Sequence, residues 1–584
     1  MRAARVNHRW RWLTGGAVAL CLLAFLALIA LLGWQGLSYF WPQPVTLFSV
    51  QLPGESASGR LRPQQPSETT PLQGDTRPPL SGGTTLLQNT SQFALLGEIA
   101  QSQKVTRQQL QESGARLPAS LPSELTRLLI NTGSREVGGT GFRSLLSSDI
   151  LRQERPANLL VLQRRQGGVA FGWFDGLLEK GQPLTAVNMQ HTLQQRISQS
   201  RERQAQVDKI RRVSMARLNN ELEQLAAQRQ RLQKAEGYSA QTDSILLADS
   251  AELKRQFSQR TQLLNDLNRE NDSTELILRD VSGQQHRIPL SQILAAWYPN
   301  AMSIGAKWQH FGWQIWHFVS NPPGEGPGNG GVFPAIFGTI LMVLLMSVVV
   351  MPLGVVAAIW LHEYAGNSLL TRLVRIAVIN LAGVPSIVYG VFGLGFFVWM
   401  MGGSIDRLFF STSLPNPTFG TPGLLWASLT LALLTLPVVI VATEEGLSRI
   451  PASLRQGSLA LGATQAETLW HITLPMAVPA MLTGLILSVA RAAGETAPLM
   501  LVGVAKMVPE LPLDSVFPFL HLDRKFMHLG FQIYDLAFQS PDAQADRPLV
   551  FATALLLVLI ILALNLLAMI LRHRLRERYR ALMN

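Results

Sequence analysis

The residues best suited to chemistry in this chain lie inside apolar sequence. Arg491 and Glu495 occur in Arg491-Ala492-Ala493-Gly494-Glu495-Thr496-Ala497-Pro498. Their spacing of four puts both on one face of a helix. Ionisable groups at membrane depth are costly and usually face a bundle interior or a water path. The planar donor fork of an arginine fits an oxyanion, and Glu495 would pair with it when no anion is present. Ser386, Tyr389 and Thr496 offer hydroxyl donors. A plainer reading stays open beside this one: an intrahelical ion pair, and hydroxyls that bond their own backbone or a neighbouring helix.

Other chemistries find little support. His362-Glu363 lacks the second histidine of a zinc-protease helix, because Gly366 stands in its place. No Gly-x-x-x-x-Gly-Lys followed by Ser or Thr occurs, so the sequence offers no site for hydrolysing ATP. A single cysteine, Cys21, rules out an internal disulfide and a cysteine metal cluster, and no metal site is expected. The formal charge of +12 is concentrated at the termini, with Arg2, Arg5, Arg9 and Arg11 at one end and Arg572, Arg574, Arg576, Arg578 and Arg580 at the other. Basic clusters flanking apolar runs are the positive-inside signature of a membrane protein, and no nucleic acid is expected as a partner.

These residues have to be positioned by a bundle of spans. After the basic segment 1–12, residues 13–33 form an uncharged run of spanning length, read as an anchor rather than a signal peptide. Tyr39, Phe40 and Trp41 then suggest an interfacial belt. A polar insertion, 34–320, begins with a Pro/Ser/Thr/Gly-rich linker over 51–83. Alternation around Gln166-Gly167-Gly168 predicts a β-hairpin over 158–178, and a second is expected over 275–290, turning near Ser282-Gly283. Between them, 188–235 and 248–271 read as helical, giving a helical hairpin over about 188–271 broken at Gly237-Tyr238-Ser239. Met215, Leu218, Leu222, Leu225 and Leu232 make an apolar stripe, suited to local packing or to a partner-binding coiled coil.

A Pro/Gly linker over 321–333 leads to five more apolar runs: 334–361, 376–401, 424–441, 475–504 and 549–571. Each is long enough to span. Six spans place both termini, and the basic tail 572–584, on the cytoplasmic side, with the insertion outside.

The loop between the fourth and fifth spans, 444–475, carries the most specific pattern. It reads as a short helix, a break at Gly462 where a positive φ is available, a second short helix, and Pro475 in the first turn of the next span. Gly462, Ile472, Leu474 and Pro475 match in identity and spacing the coupling loop of ABC importer permeases, which this segment resembles. Gln456, Gly457 and Ser458 stand where that family has an acid and two alanines. Ala382-Gly383-Val384-Pro385-Ser386-Ile387-Val388-Tyr389-Gly390 and Gly494-Glu495-Thr496-Ala497-Pro498 resemble the PstA-type permeases of phosphate importers. Thr132-Gly133-Ser134-Arg135 and Phe142-Arg143 more weakly resemble the extra N-terminal domain of long members.

The resemblance, which covers the permease domain 334–571, implies an all-α membrane domain of the type I ABC importer permease kind, carrying a soluble α+β insertion. It implies phosphate passage driven by a separate ATPase dimer that uses ATP and magnesium, with no cofactor bound by this chain. It also implies a PstC-type second permease, a periplasmic phosphate-binding protein and an inner-membrane location among lipid. Two alternatives stay open: a permease for sulfate or molybdate, and a membrane-anchored sensor.

Overall fold

The computed structural model describes residues 2–51, 92–112, 124–185, 187–234, 240–323, 330–366, 368–411, 417–508, 510–514, 517–540 and 546–581. The linker expected over 51–83, save Gln51, lies outside them, as do the break at 237–239, residues 324–329 of the Pro/Gly linker and the last three residues of the tail.

Along the chain, α1 (Arg2–Ser38) leads into β1 (Val45–Gln51) and β2 (Gln92–Thr106), followed by α2 (Arg107–Glu112), β3 (Glu124–Asn131), β4 (Phe142–Leu146) and β5 (Ile150–Glu154). Next come β6 (Leu159–Arg164), β7 (Val169–Glu179) and β8 (Gln182–Pro183). The helices α3 (Met189–Lys209), α4 (Ala216–Lys234) and α5 (Ala240–Asp272) precede β9 (Thr274–Arg279), β10 (Gln285–Pro289) and β11 (Ile293–Trp297). Then follow α6 (Ile304–Ser320), α7 (Phe333–Ile359), α8 (Leu369–Leu381), α9 (Ser386–Phe392) and α10 (Gly403–Phe409). The remainder is α11 (Leu424–Ser448), α12 (Ala452–Ala460), α13 (Gln465–Thr468), α14 (Leu474–Gly494), α15 (Leu499–Val502), α16 (Leu529–Tyr534) and α17 (Arg547–Ala581).

Two compact units divide this chain. One comprises Trp41–Ala205 and Leu267–Phe311; the other comprises Met1–Phe40, Gln206–Asp266 and Gly312–Asn584.

The first unit holds two antiparallel sheets, ordered β4-β3-β2-β1-β5 and β10-β9-β7-β6-β11, with β8 pairing on β7. Both hairpins expected from sequence are present. The β6–β7 turn has Gly167 and Gly168 at φ near +80°, and the β9–β10 turn has Gly283 at +86°, values at which a Cβ is penalised. Leu160, Leu162, Leu177, Leu276 and Leu278 from the second sheet bury against Leu193 and Ile197 of α3. In the other sheet Phe48, Val50, Leu95, Leu128 and Ile130 form a separate core. The strands of that sheet were not anticipated from sequence.

The helical hairpin runs close to its expected bounds, with its second arm starting at Ala240 rather than at 248. At its base Ser200 Oγ donates to Asn271 Oδ1 (2.8 Å), and at its far end Arg229 grips Asp243 with two bonds of 2.6 and 3.1 Å. Leu218 is buried, as are Leu246 and Leu264 on α5.

In the second unit, six helices among the described residues are long and apolar enough to cross a membrane: Thr14–Ser38, Phe333–Tyr364, Ser386–Phe409, Leu424–Ser448, Gln465–Gly494 and Arg547–Arg574. The central one is α11, whose buried face includes Ala427, Leu431, Leu434 and Val439. It packs on α7 and α14 through small residues that let backbones approach, as membrane helix pairs require. A Cβ on Gly354 of α7 would lie 2.6 Å from Val439 Cγ1, and one on Gly484 of α14 would lie 2.8 Å from Ala442 Cβ. The fully buried hydroxyls of Thr339, Ser428, Thr430 and Thr435 donate to the carbonyl four residues back, which satisfies them without water.

Two expected spans are broken. The run 376–401 is not one helix: α8 stops at Leu381, and a turn over 382–385 precedes α9. Val384 precedes Pro385, whose ring disfavours the helical conformation of the residue before it. Pro385 instead caps α9, where its missing N–H is no loss. Likewise 475–504 is interrupted: α14 ends at Gly494, and Glu495 turns extended at φ −80°, ψ 126°.

Candidate functional site

The two breaks meet. A Cβ on Gly390, in α9, would sit 2.7 Å from Cα of Pro498 and 3.2 Å from Leu501 Cδ1. The two motifs singled out from sequence therefore come together through a glycine that has no room for a side chain. Tyr389, next to it, is buried, and its hydroxyl donates to the Leu381 carbonyl at 2.6 Å. That bond spans the α8–α9 break and commits the hydroxyl's single proton to the backbone. Ser386 is the first residue of α9 and is half-buried.

Arg491 lies in the last turn of α14, and Glu495 lies beyond the helix end as its C-cap. The expectation that both share one helix face needs correction, because the backbone has already left the helix at Glu495. The carboxylate still reaches back, with Arg491 Nε to Glu495 Oε1 at 3.5 Å. A cation in the final turn is also favoured by the partial negative charge at the helix C-terminus. Both side chains keep partial exposure. The Thr496 carbonyl accepts the N–H groups of Leu499 (3.1 Å) and Met500 (3.3 Å) and starts the short α15. Its hydroxyl oxygen occupies the space where a Cβ on Gly530 would fall.

That contact brings in α16, which sequence reading missed. Leu529 N donates to Thr339 Oγ1 at 3.0 Å, and Gly530 N donates to Nδ1 of the fully buried His528 at 3.1 Å. Lys506 Nζ is paired with Asp535 Oδ1 at 3.0 Å just beyond α16. The only sequence signal for this element was Gly530 beside a histidine able to cap a helix. An apolar-run search passes over a helix of six residues.

The segment 444–475 follows the expected outline, with one difference. Helix α12 begins behind Pro451, and Gly462 takes φ +88° after it. Thr464 then closes a capping box: its hydroxyl accepts from Glu467 N (3.2 Å), while Glu467 Oε2 accepts from Thr464 N (2.7 Å). The second helix is not separate, however. Helix α13 runs through a wide turn, Leu469–Thr473, into α14, with Pro475 in its first turn, so Ile472 and Leu474 sit where loop becomes span. Helix α12 buries none of its residues: Gln456 and Gly457 are exposed, and Leu454, Leu459 and Leu461 present apolar side chains. Ser458 Oγ lies 2.8 Å from Thr468 Oγ1 and ties α12 to α13.

Arg455 was not anticipated. It extends from α12 to Glu363 Oε1 (2.8 Å), at the end of the second span, and to the Leu447 carbonyl (2.8 Å), at the end of the fourth. Arg375 similarly reaches Glu444 Oε1 at 2.6 Å. The loop is thus tied to the spans by charge-assisted bonds, the stronger kind.

A six-span bundle with an exposed helix-turn-helix between its fourth and fifth spans is the outline of a transport permease. Residues 350–581 match the family described as binding-protein-dependent transport system inner membrane component, and the chain belongs to that family. Within it the chain is similar to the PstA-type phosphate permeases. It is 35% identical over 252 residues to the phosphate transport system permease protein PstA of Yersinia pestis, covering 43% of this chain and 75% of that protein. It is 37% identical over 180 residues to the phosphate transport system permease protein PstA 1 of Mycobacterium tuberculosis, covering 31% of this chain and 53% of that protein. The chain therefore spans about half the length of the mycobacterial relative. Among solved structures, an inward-facing MetNI methionine ABC transporter chain aligns with a TM-score of 0.31 and 19% identity, over 47% of this chain and 99% of that chain.

Proposed function

We propose that this chain is the PstA-type permease of an ATP-driven phosphate importer. The observation that carries the reading is the exposed coupling helix α12, latched by Arg455 to the second and fourth spans, in a chain whose relatives are named phosphate transport permeases. The exposed apolar side chains of α12 suit a groove on an ATPase subunit, two copies of which would hydrolyse ATP with magnesium. A rigid helix tied by its arginine transmits displacement instead of absorbing it.

The rest of the assembly follows from the same reading. A PstC-type permease completes the pathway, and a periplasmic phosphate-binding protein delivers the anion to the outer face. The bundle sits in the bacterial inner membrane with both termini in the cytoplasm and the insertion outside. Within the bundle Arg491 is the anion-facing cation and Glu495 its stand-in partner. As phosphate arrives it takes over the donor fork of Arg491, and Glu495 is released to solvent. Thr496 and Ser386 lie on the two elements that bound this place, available as neutral donors.

The test is uptake of radioactive phosphate by cells that lack the chain, carry it intact, or carry Arg491→Gln, with membrane abundance and ATPase copurification measured in parallel. The expected result is loss of uptake in the variant at unchanged abundance and assembly. Intact phosphate uptake without the chain, in cells with no second importer, overturns the substrate. Competition by sulfate or molybdate then identifies the anion.

A further inference from the structure

Helix α6 (Ile304–Ser320) has the sequence Ile-Gly-Ala-Lys-Trp-Gln-His-Phe-Gly-Trp-Gln-Ile-Trp-His-Phe-Val-Ser and belongs to neither the sheets nor the spans. Its exposed positions are Ile304, Gly305, Trp308, Gln309, Gly312 and Trp316. At about 100° per residue these fall within one arc of the helix. No charged side chain lies in that arc. Ile304 is 75% exposed, Trp308 59% and Trp316 70%, which is an unusual cost for a helix facing water.

The C-terminal end of the helix is tied to the ends of two spans. Phe318, buried, packs on Phe40, two residues past the end of the first span, with ring centroids 5.2 Å apart. The carbonyl of Phe318 accepts Val332 N at 2.8 Å, and the Asn321 carbonyl accepts Phe333 N at 3.1 Å, at the start of the second span. Nearer the N-terminal end, Trp308 and Phe311 both pack on Trp41, with centroids 5.2 and 5.9 Å away. Trp316, half a turn before Phe318, is therefore held beside the ends of two spans, and the same face of the helix carries Trp308 and Ile304. Trp34 and Phe333, at the ends of those spans, are exposed apolar side chains as well. Tryptophan is the residue that settles at headgroup level, with its ring in the acyl boundary and its N–H in water.

We propose that α6 is an interfacial helix whose Ile304–Trp308–Trp316 face lies in the outer leaflet at the headgroup–acyl boundary. Such a helix binds through its buried apolar area, parallel to the surface. It fixes the depth at which the chain enters the second span. The occupant is phospholipid, because the face is uncharged and apolar apart from Gln309 and the two indole N–H groups, the combination that suits the headgroup–acyl boundary. This rests on the reading that the chain spans a membrane.

The test uses full-length protein with Cys21→Ser, reconstituted in nanodiscs, with an environment-sensitive fluorophore on Ile304→Cys or Trp316→Cys. Lipids carry a nitroxide either near the headgroup or deep in the acyl chain. Leu26→Cys in the first span and Gln182→Cys on an exposed strand serve as deep and aqueous controls. The expected result is stronger quenching by the shallow nitroxide than by the deep one at 304 and 316, the reverse order at 26, and little quenching at 182. Absence of quenching at 304 and 316, with 26 still quenched, overturns the proposal while leaving the membrane reading intact. Absence at 26 as well means that the spanning reading has failed, and the proposal with it. Quenching that vanishes when the second permease is co-reconstituted also overturns it, and assigns the face to protein.

Discussion

Gly390 and Pro498 touch backbone to backbone: a Cβ at 390 would stand 2.7 Å from the proline Cα. Neither side can yield, because the proline ring fixes its own φ and α9 is anchored by Tyr389 across the preceding break. Gly390→Ala is therefore expected to force the two breaks apart at a cost of about 1–3 kcal/mol, the usual penalty of overpacking. A lowered melting temperature of the purified protein, with transport reduced beyond the loss in abundance, is the expected outcome. An unchanged melting temperature would mean that the contact is loose.

Arg455 and Glu363 join the coupling helix to the second span at 2.8 Å. Both are largely shielded, and Arg455 also holds the Leu447 carbonyl. Arg455→Ala or Glu363→Ala should leave the protein in the membrane but weaken transmission, so that ATP hydrolysis in the reconstituted importer continues with less uptake per ATP. Neighbouring charges couple by roughly 0.5–3 kcal/mol. The double variant should accordingly lose less than the sum of the singles. Strict additivity would show that the pair does not act as a unit.

Gly462 turns the chain between α12 and α13 at φ +88°. Open space surrounds it, so the backbone alone penalises a substitution. An L-residue in this conformation costs about 1–2 kcal/mol, and asparagine costs less than other residues. Uptake should fall in the order Gly, Asn, Ala, Val at this position. A loss that instead follows side-chain volume, with Asn no better than a residue of equal size, would point to contact with the ATPase.

Elements that announce themselves over a long stretch were legible in the sequence. The apolar runs pointed to six spans, the two Gly-centred turns to their hairpins, and Gly462 to the turn between α12 and α13. Strand β2 escaped notice because its outer half, Gln101-Ser102-Gln103-Lys104, is polar and has no alternation. Its inner half, Leu95 and Leu96, is buried on both faces, so period-two patterning is absent there too. Helix α16 escaped because it is short and depends on Thr339, 190 residues earlier, to accept its first N–H. The Arg491–Glu495 pair was legible as a pair but not as a helix end, since only the Pro498 region and the packing of Gly390 decide where α14 stops. Arg455 carried no signal because its partners, Glu363 and Leu447, come from other spans.

Glu98 gives the sheet-bearing insertion a pH dependence. The residue is half-buried in β2, and desolvation pushes its pKa up from 4.5 to about 8. The fold therefore favours the protonated acid. Below pH 4.5 the folded and unfolded chains both carry the proton, and the stability is fully present. As pH rises from there through 8 the unfolded chain ionises freely while the folded one is held neutral, so stability falls across that window. The slope is at most about 1.4 kcal/mol per pH unit for one proton. Glu98→Gln keeps the shape and removes the titration. Hydrogen exchange of the β1–β3 amides in the full-length protein should therefore show protection that declines from pH 5 to pH 8 in the wild type after correction for intrinsic exchange rates (roughly the window between the two pKa values), and that stays level in the variant. Parallel profiles would mean that Glu98 is ionised in the folded sheet and that water reaches its carboxylate.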